Sequence, residues 1–148
     1  LYRKNPEWKA IVVGTGSELN KMKRYVKIHK IRNIYFEGQQ VNVESYFKKA
    51  KIIGLTSNHE GWGMTLVEGM AYGCIPIAYD TYSSIHDIID NRVSGIISKP
   101  FSTKDMAVNI QYLIENKAEL EIFSSKAKAK VDKFSVDIIA NRWDYIFK

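Results

Sequence analysis

The sequence predicts an α/β protein of the doubly wound class, in which helices cover both faces of a parallel β-sheet. Two observations support this. Short apolar runs alternate with helix-patterned stretches as far as residue 99, and the connections are long enough for the crossovers that parallel strands require. The 148 residues, 45% of them hydrophobic, suffice for one domain with a proper core. We therefore expect residues 1–148 to form a single domain.

Apolar runs bounded by polar or turn residues predict five strands. Pro76 stands near the start of the fourth strand, and Pro100 ends the fifth. The strands are AIVVG (10–14), NIYFEG (33–38), KIIGLTS (51–57), IPIAY (75–79) and GIISK (95–99).

Helices are predicted between and after these strands. Residues 17–30 place Leu19, Met22 and Val26 on one face with lysines opposite, which indicates an amphipathic helix. Serines are expected to cap three later helices. The helices expected to have a serine cap are 83–91, which begins with Ser83 and Ser84, 103–116, which follows Ser102, and a last helix after Ser135. The other helices are predicted at 42–50, from near Met64 or Thr65, and at 118–133.

Composition narrows the classes of partner and compartment. The chain has 22 Lys or Arg and 16 Asp or Glu, a net charge of +6, which favours anionic partners. A single cysteine, Cys74, excludes an internal disulfide framework and suits a reducing compartment. No apolar run reaches the roughly 18 residues of a spanning helix, and no signal peptide is visible. We expect a cytoplasmic protein, with peripheral contact at the inner face of the membrane as an open alternative.

The first residues predict a longer parent protein. The chain begins LYRKNPEWKAIVVG, without an initiator methionine and only a few residues before an apolar strand. We expect a piece that is truncated on its N-terminal side.

The segment HEGWGMTLVEGMAYGCIP, residues 59–76, holds the candidate site. It follows the third predicted strand, and ligands of doubly wound sheets bind beyond the carboxyl ends of the strands. At about 100° per residue, one arc of the following helix would face the sheet, whereas Glu68 falls outside it. The members of that arc are Leu66, Val67, Met70 and Ala71.

The residue types in this segment fit a sugar nucleotide. A helix N-terminus has unpaired N–H groups and a partial positive charge, which suit a phosphate. Gly61 and Gly63 would let a ligand approach the backbone closely. Glu60 and Glu68, on either side, are poor phosphate ligands but good acceptors for hydroxyl groups. The pattern therefore predicts a ribose, a diphosphate and a second sugar. Taken singly, each feature is also compatible with an ordinary turn or with helix-dipole stabilisation.

The segment NHEGWGMTLVEGMAYGCIPIA resembles the Glu-x7-Glu signature of retaining nucleotide-sugar glycosyltransferases with the two-domain GT-B fold. It is most similar to the large family numbered four, the glycosyl transferases group 1. The resemblance covers nearly the whole chain, including AIVVGTGSE, IYFEG, VSGIISKP and FSVDIIANRWDYIF. It implies a Rossmann-like domain, the C-terminal, donor-binding half of a GT-B fold. The N-terminal acceptor-binding domain would be absent from this chain.

The resemblance also implies residue roles. Glu68 would bind the ribose hydroxyls, and Glu60 would contact the transferred sugar near the reacting carbon as the catalytic residue. The loop after Gly38 would meet the nucleobase, mainly through backbone atoms. The remaining donor-binding residues implied are Gly61, Gly63, Met64, Thr65 and Val41.

The implied function is transfer of a sugar, with retention of configuration, from a nucleotide diphosphate sugar to a glycan or lipid-linked acceptor. A UDP-sugar is the expected donor, bacterial surface polysaccharide synthesis the expected role, and no metal, other cofactor or nucleic acid is expected. The three histidines show no ligand spacing with Cys74 or the carboxylates. His59, beside Glu60, is an alternative base.

Two departures from the family pattern affect these expectations. Ser83 and Ser84 stand where the family has a Gly-Gly pair, and Asp87 replaces a glutamate, so donor recognition is expected to differ. The family's upstream Arg and Lys, which neutralise the diphosphate, are not in this sequence. We therefore expect the isolated chain to bind nucleotide weakly and not to catalyse transfer.

Three other functions fit parts of the sequence. A Rossmann-type dinucleotide oxidoreductase would use the first strand and Gly14-x-Gly16, but the third glycine and the acidic residue of that motif are missing. A sugar-nucleotide epimerase would share the fold and a similar donor. The basic segment KMKRYVKIHKIR, residues 21–32, indicates a membrane-surface binding module or simply a solvated face.

Overall fold

A computed structural model describes all 148 residues and contains the five predicted strands in the predicted order. The strands are β1 Ala10–Val13, β2 Ile34–Gly38, β3 Ile52–Leu55, β4 Ile75–Tyr79 and β5 Ile96–Ser98. The helices are α1 Leu19–Ile28, α2 Glu44–Phe47, α3 Met64–Ala71, α4 Ile85–Ile88, α5 Thr103–Glu115, α6 Lys117–Val131 and α7 Val136–Ile146, with a 3₁₀ helix at Asp132–Phe134. None of the helices is both long and apolar enough to cross a membrane.

The chain divides into two compact units, Leu1–Ser45 and Tyr46–Lys148. The first unit consists of β1, α1 and β2. Its strands pair in parallel, with Ala10 opposite Ile34. No apolar side chain of this unit is buried, because one helix and two short strands enclose too little volume.

The second unit is built on a parallel sheet with strand order β3-β4-β5. All five residues of the central strand β4 are buried. Burial on both faces is typical of parallel strands that are flanked by helices. Pro76 is the second residue of β4, as predicted from its place in the sequence.

Two core layers lie on opposite faces of this sheet. Ala78 of β4 belongs to the layer that includes Leu66 and Met70 of α3, whereas Ile77 belongs to the layer that includes Leu113 of α5. The side chains of β4 thus alternate between the layers, with a period of two residues. Helices therefore cover both faces, and the predicted doubly wound α/β class is confirmed.

The strands form two parallel sheets, β1-β2 and β3-β4-β5, where the sequence predicted one. Alternation of strands and helices predicts parallel crossovers, but it does not specify which strands become neighbours.

The predicted buried face of α3 was wrong at one residue. Ala71 is exposed, and Gly69 is buried in its place. A Cβ atom on Gly69 would lie 2.7 Å from Cδ1 of Ile53, so this glycine lets α3 approach β3 closely. A count of apolar residues misses such a position because glycine has no apolar side chain.

The serine caps were predicted correctly in one case of three. Ser102 caps α5, and its Oγ accepts a hydrogen bond from the Asp105 N–H at 3.2 Å. Ser84 and Ser135 precede α4 and α7 without a side-chain cap. Ser84 instead donates its hydroxyl proton to another loop.

Cys74, in the short connection that joins α3 to β4, is fully buried. Its Sγ contacts the carbonyl oxygen of Phe47 at 3.3 Å. Burial raises the pKa of the thiol above its ordinary value, so the thiolate form is disfavoured.

Candidate functional site

The N-terminus of α3 begins at Met64, as predicted, and its backbone is open. Gly63 precedes the helix in the left-handed conformation, with φ 94° and ψ 38°, which favours glycine. No side chain caps the helix, and no acceptor lies against the N–H groups of Met64 and Thr65. Two amide donors at the positive end of the helix are thus available to an anion.

Glu60 is held in the loop before α3. Its carboxylate accepts a hydrogen bond from the Ser57 hydroxyl at 2.6 Å, and its side chain is half-buried. The carbonyl oxygen of Ser57 in turn accepts a hydrogen bond from the Thr81 hydroxyl at 2.7 Å. The position of Glu60 therefore depends on the segment that follows β4.

Glu68 lies on the exposed side of α3, outside the buried arc, as predicted. Its carboxylate has no ion pair or hydrogen-bond partner. His59, the alternative base, is also exposed and makes no hydrogen bond to Glu60. Glu68 is therefore free to accept hydrogen bonds from hydroxyl groups.

Ser84 supports the glycine-rich turn. Its Oγ lies 3.2 Å from the carbonyl oxygen of Gly61 and 3.3 Å from that of Trp62. Ser83 beside it is exposed and makes no side-chain contact of this kind. One of the two adjacent serines thus holds the backbone of the turn.

The Tyr82 side chain packs against Gly63. The sequence analysis did not predict a role for Tyr82 at the site. A Cβ atom on Gly63 would lie 2.9 Å from the Tyr82 hydroxyl oxygen, which is buried without a hydrogen-bond partner. Burial, with a smaller effect of the Glu60 charge, raises the pKa of Tyr82 to about 12. The one signal in the sequence was an aromatic residue within the polar run after β4.

Asp80 and His86 form a second pair at the same end of β4. Nε2 of His86 lies 2.9 Å from Oδ1 of Asp80, and both side chains are exposed. Nowhere in the chain do three His, Cys, Asp or Glu side chains converge as ligands for a metal ion.

The second unit holds all but one of the predicted site residues. Val41 lies in the first unit, in the loop after β2, and its side chain is fully exposed. The other predicted residues occupy a continuous stretch from the loop into α3, namely Glu60, Gly61, Gly63, Met64, Thr65 and Glu68.

Comparison with known proteins finds relatives that cover nearly the whole chain. The poly(glycerol-phosphate) alpha-glucosyltransferase of Bacillus subtilis (strain 168) is 24% identical over 141 residues, which are 95% of this chain and 21% of the relative. The crystal structure of a mutant of S. aureus TarM in complex with fondaparinux, alpha-GlcNAc-glycerol and UDP has a TM-score of 0.90 at 25% identity. That match covers 99% of this chain and 30% of the TarM chain.

A third comparison concerns an isolated domain. The crystal structure of the C-terminal domain of a glycosyl transferase group 1 family protein (LpcC) from Francisella tularensis has a TM-score of 0.83 at 24% identity. It covers 91% of this chain and 74% of that domain's chain. Together with the TarM match, this likeness confirms the predicted Rossmann-like C-terminal half of a GT-B fold. The chain spans about a fifth to a third of the Bacillus and TarM proteins.

A match to a family model identifies the family of the chain. The family model for glycosyl transferases group 1 matches residues 1–130, which is most of the chain. This chain therefore belongs to the glycosyl transferases group 1 family.

Proposed function

We propose that this chain is the donor-binding domain of a retaining glycosyltransferase of the Glu-x7-Glu type, family four. The whole protein would transfer a sugar from a nucleotide diphosphate sugar, with UDP-sugars as the expected donors. The acceptor would be a glycan or a lipid-linked glycan in bacterial surface polysaccharide synthesis. The name of the Bacillus relative, a poly(glycerol-phosphate) alpha-glucosyltransferase, supports transfer of a sugar to a polymeric acceptor.

The open N-terminus of α3 is the observation that carries this proposal. The N–H groups of Met64 and Thr65 lack acceptors, and the left-handed Gly63 lets a ligand approach them closely. A diphosphate is the anion proposed to bind there. The TarM structure in complex with UDP, at 25% identity, supports a nucleotide diphosphate as the ligand.

The two carboxylates are assigned different parts of the donor. Glu68, exposed and without a partner, binds the ribose hydroxyls. Glu60, fixed by Ser57, contacts the transferred sugar near the reacting carbon. Val41, in the first unit, is proposed to meet the nucleobase through its backbone. The amides of Gly61 and Gly63 complete the donor-binding set.

The contribution of these residues to catalysis is positioning and electrostatic support. The amides at α3 stabilise the negative charge that develops on the leaving diphosphate, and Glu60 orients the sugar. Neither role requires a metal ion. The proposed mechanism therefore depends on how firmly the loop of residues 57–63 holds Glu60 and the start of α3.

The activity is proposed for the whole protein and not for this chain alone. Because the relatives are three to five times longer, an N-terminal acceptor-binding domain is proposed to complete the cleft. The isolated chain would then bind nucleotide without turnover. We propose a cytoplasmic location with peripheral membrane contact, which the exposed basic side chains of α1 would favour.

The test is an amide NMR titration of the 148-residue chain with UDP, GDP and ADP in separate experiments. We expect one nucleotide to shift the resonances from Glu60 to Glu68 in a saturable manner. In Glu68→Gln, the loss of hydrogen bonds to a charged acceptor should cost about 1.5–3 kcal/mol. That corresponds to roughly 10- to 150-fold weaker binding.

Glu121→Gln is the matched control, because it removes one exposed carboxylate from α6, away from the site. It should leave nucleotide binding unchanged. Absence of a saturable shift at α3 with all three nucleotides would contradict the proposed donor site.

A further inference from the structure

The positive charge of the chain is concentrated in the first unit. Residues 1–45 contain nine Lys or Arg and four Asp or Glu, a net charge of +5 out of the total of +6. The other 103 residues are almost neutral, with thirteen basic and twelve acidic residues. The long-range positive field of the chain is therefore centred on the first unit.

Part of this charge lines a cavity of about 640 Å³. Lys9 precedes β1, Arg32 precedes β2, and Lys30 follows α1, so the cavity lies at the amino ends of the two parallel strands. The loop that carries Val41 follows the carboxyl end of β2. The cavity is thus separate from the nucleobase loop of the same unit.

The cations in the cavity are not neutralised by carboxylates. Four of its lining side chains carry a full positive charge, and no acidic residue lines it. None of the four forms an ion pair. They are Arg3, Lys9, Lys30 and Arg32.

Aromatic rings, not carboxylates, hold two of these cations. The Lys9 ammonium lies 5.8 Å from the centroid of the Tyr35 ring, and the Arg3 guanidinium lies 5.6 Å from that of Tyr2. Nε of Arg3 also donates to the Tyr2 hydroxyl at 2.9 Å. A cation–π contact orients a cation without cancelling its charge, so both remain available to an anion.

Lys30 adopts a backbone conformation that is energetically unfavourable for residues other than glycine. Its φ is 52°, in the left-handed region. The N–H groups of Lys30 and Ile31 close the end of α1 by bonding to the carbonyl oxygens of Lys27 and Val26, at 3.2 and 3.0 Å. Glycine is the usual residue at this position of a Schellman motif. The strained lysine extends a charge into the cavity that glycine would not provide.

We propose that this cavity is a binding site for a phosphate group, presented either by a small organic phosphate or by the head group of an anionic lipid. Four full charges outweigh the partial negative charge, about half an elementary charge, at the C-terminus of α1. The exposed Tyr35 and Ile28 at the rim provide apolar contact for the organic part of the ligand. All four cations are exposed and therefore screened by salt, so we expect weak binding of a single phosphate.

The first experiment titrates the 148-residue chain with glycerol 3-phosphate, followed by amide NMR at constant ionic strength. We expect saturable shifts at residues 28–35. Lys30→Gly should weaken binding at least fivefold and raise the midpoint of urea denaturation, since glycine relieves the left-handed strain. A loss of binding by this variant is therefore not attributable to unfolding.

Lys27→Gln is the matched control. It removes one positive charge from α1 but does not line the cavity. It should change the affinity less than twofold. Equal weakening by Lys27→Gln and Lys30→Gly would show general electrostatic attraction and would overturn the site.

A second experiment distinguishes the two sources of phosphate. The chain and both variants are sedimented with vesicles of phosphatidylcholine alone and with added phosphatidylglycerol. Vesicle binding that is lost in Lys30→Gly but kept in Lys27→Gln assigns the site to lipid head groups. Saturable glycerol 3-phosphate binding without such vesicle binding assigns it to small phosphates, and absence of both overturns the proposal.

Discussion

The Ser84 hydroxyl donates a hydrogen bond to the carbonyl oxygen of Gly61, 3.2 Å away, and so joins the loop after β4 to the loop after β3. Thr81 makes a parallel link to the carbonyl oxygen of Ser57. Side-chain hydroxyls therefore hold the two loops together, and the Ser84 hydroxyl fixes the backbone of the glycine-rich turn before α3.

Replacement of Ser84 by alanine should weaken nucleotide binding several-fold. It removes the support for the backbone around Gly61, and the lost hydrogen bond should lower the free energy of unfolding by about 0.5–1.5 kcal/mol. Nucleotide titration and urea denaturation measure the two effects. Ser83→Ala, in the exposed neighbour, is the control and should leave both quantities unchanged. Equal affinities of the two variants would exclude a supporting role for Ser84.

Gly63→Ala should destabilise the chain for two separable reasons. Alanine in the left-handed conformation costs roughly 1–2 kcal/mol, and its Cβ would lie 2.9 Å from the Tyr82 hydroxyl. In a Tyr82→Phe background the nearest ring atom, Cζ, is 3.5 Å away and only Cδ1 of Ile88, at 3.3 Å, stays close, so most of the steric part should disappear. A double-mutant cycle by urea denaturation measures this coupling. Strict additivity would contradict the contact.

The stability of the chain should fall in strongly alkaline solution because of Tyr82. Its pKa is raised from 10.0 to about 12 in the folded chain, so the protonated phenol favours folding. This contribution is complete below pH 10 and is lost as the pH rises towards 12. Urea denaturation across that range measures it against Tyr82→Phe, in which the decrease should be smaller. An unchanged decrease would assign the effect to other tyrosines.

Gly95→Ala should be among the most destabilising alanine substitutions in the second unit. The new Cβ would lie 2.5 Å from Cγ and 2.6 Å from the carbonyl oxygen of Pro76, so the start of β5 would have to move away from β4. We expect a loss of about 3 kcal/mol, the upper part of the range for overpacked cores.

Gly54→Ala, in β3 of the same sheet, provides the comparison for Gly95. Its Cβ would meet only Cγ2 of Ile77, at 3.9 Å, so its effect should stay within about 0.5 kcal/mol. Thermal denaturation of both variants tests the contrast. Similar melting temperatures would mean that the strands tolerate the displacement.

The order and class of the elements were predictable because apolar periodicity records which faces are buried. All five strands begin and end within two residues of the predicted bounds, and α3 begins at Met64 as expected. Gly69 was not predictable in this way, since its burial reflects the close approach of Ile53, a residue distant in sequence. Division into two sheets was likewise missed, because strand pairing is a tertiary property.

The candidate site was predictable where its residues are consecutive. The stretch from Glu60 to Glu68 carries its own signal of glycines, carboxylates and a helix start. Ser84 was expected to cap α4, but its hydroxyl donates to Gly61. Tyr82 offered no periodic pattern at all. Both act across a loop-to-loop contact, and no local spacing in the sequence encodes such a contact.

The buried Cys74 thiol can serve as a probe for opening of the hydrophobic core. The thiol lies against the carbonyl oxygens of Phe47 and Ala50, so an alkylating reagent can reach it only when this part of the core opens, and the rate of labelling measures how often that happens. A ligand that binds only the unopened chain suppresses the opening by mass action. Slower alkylation would then reveal even a weakly bound nucleotide, in a chain that is not expected to turn over its donor.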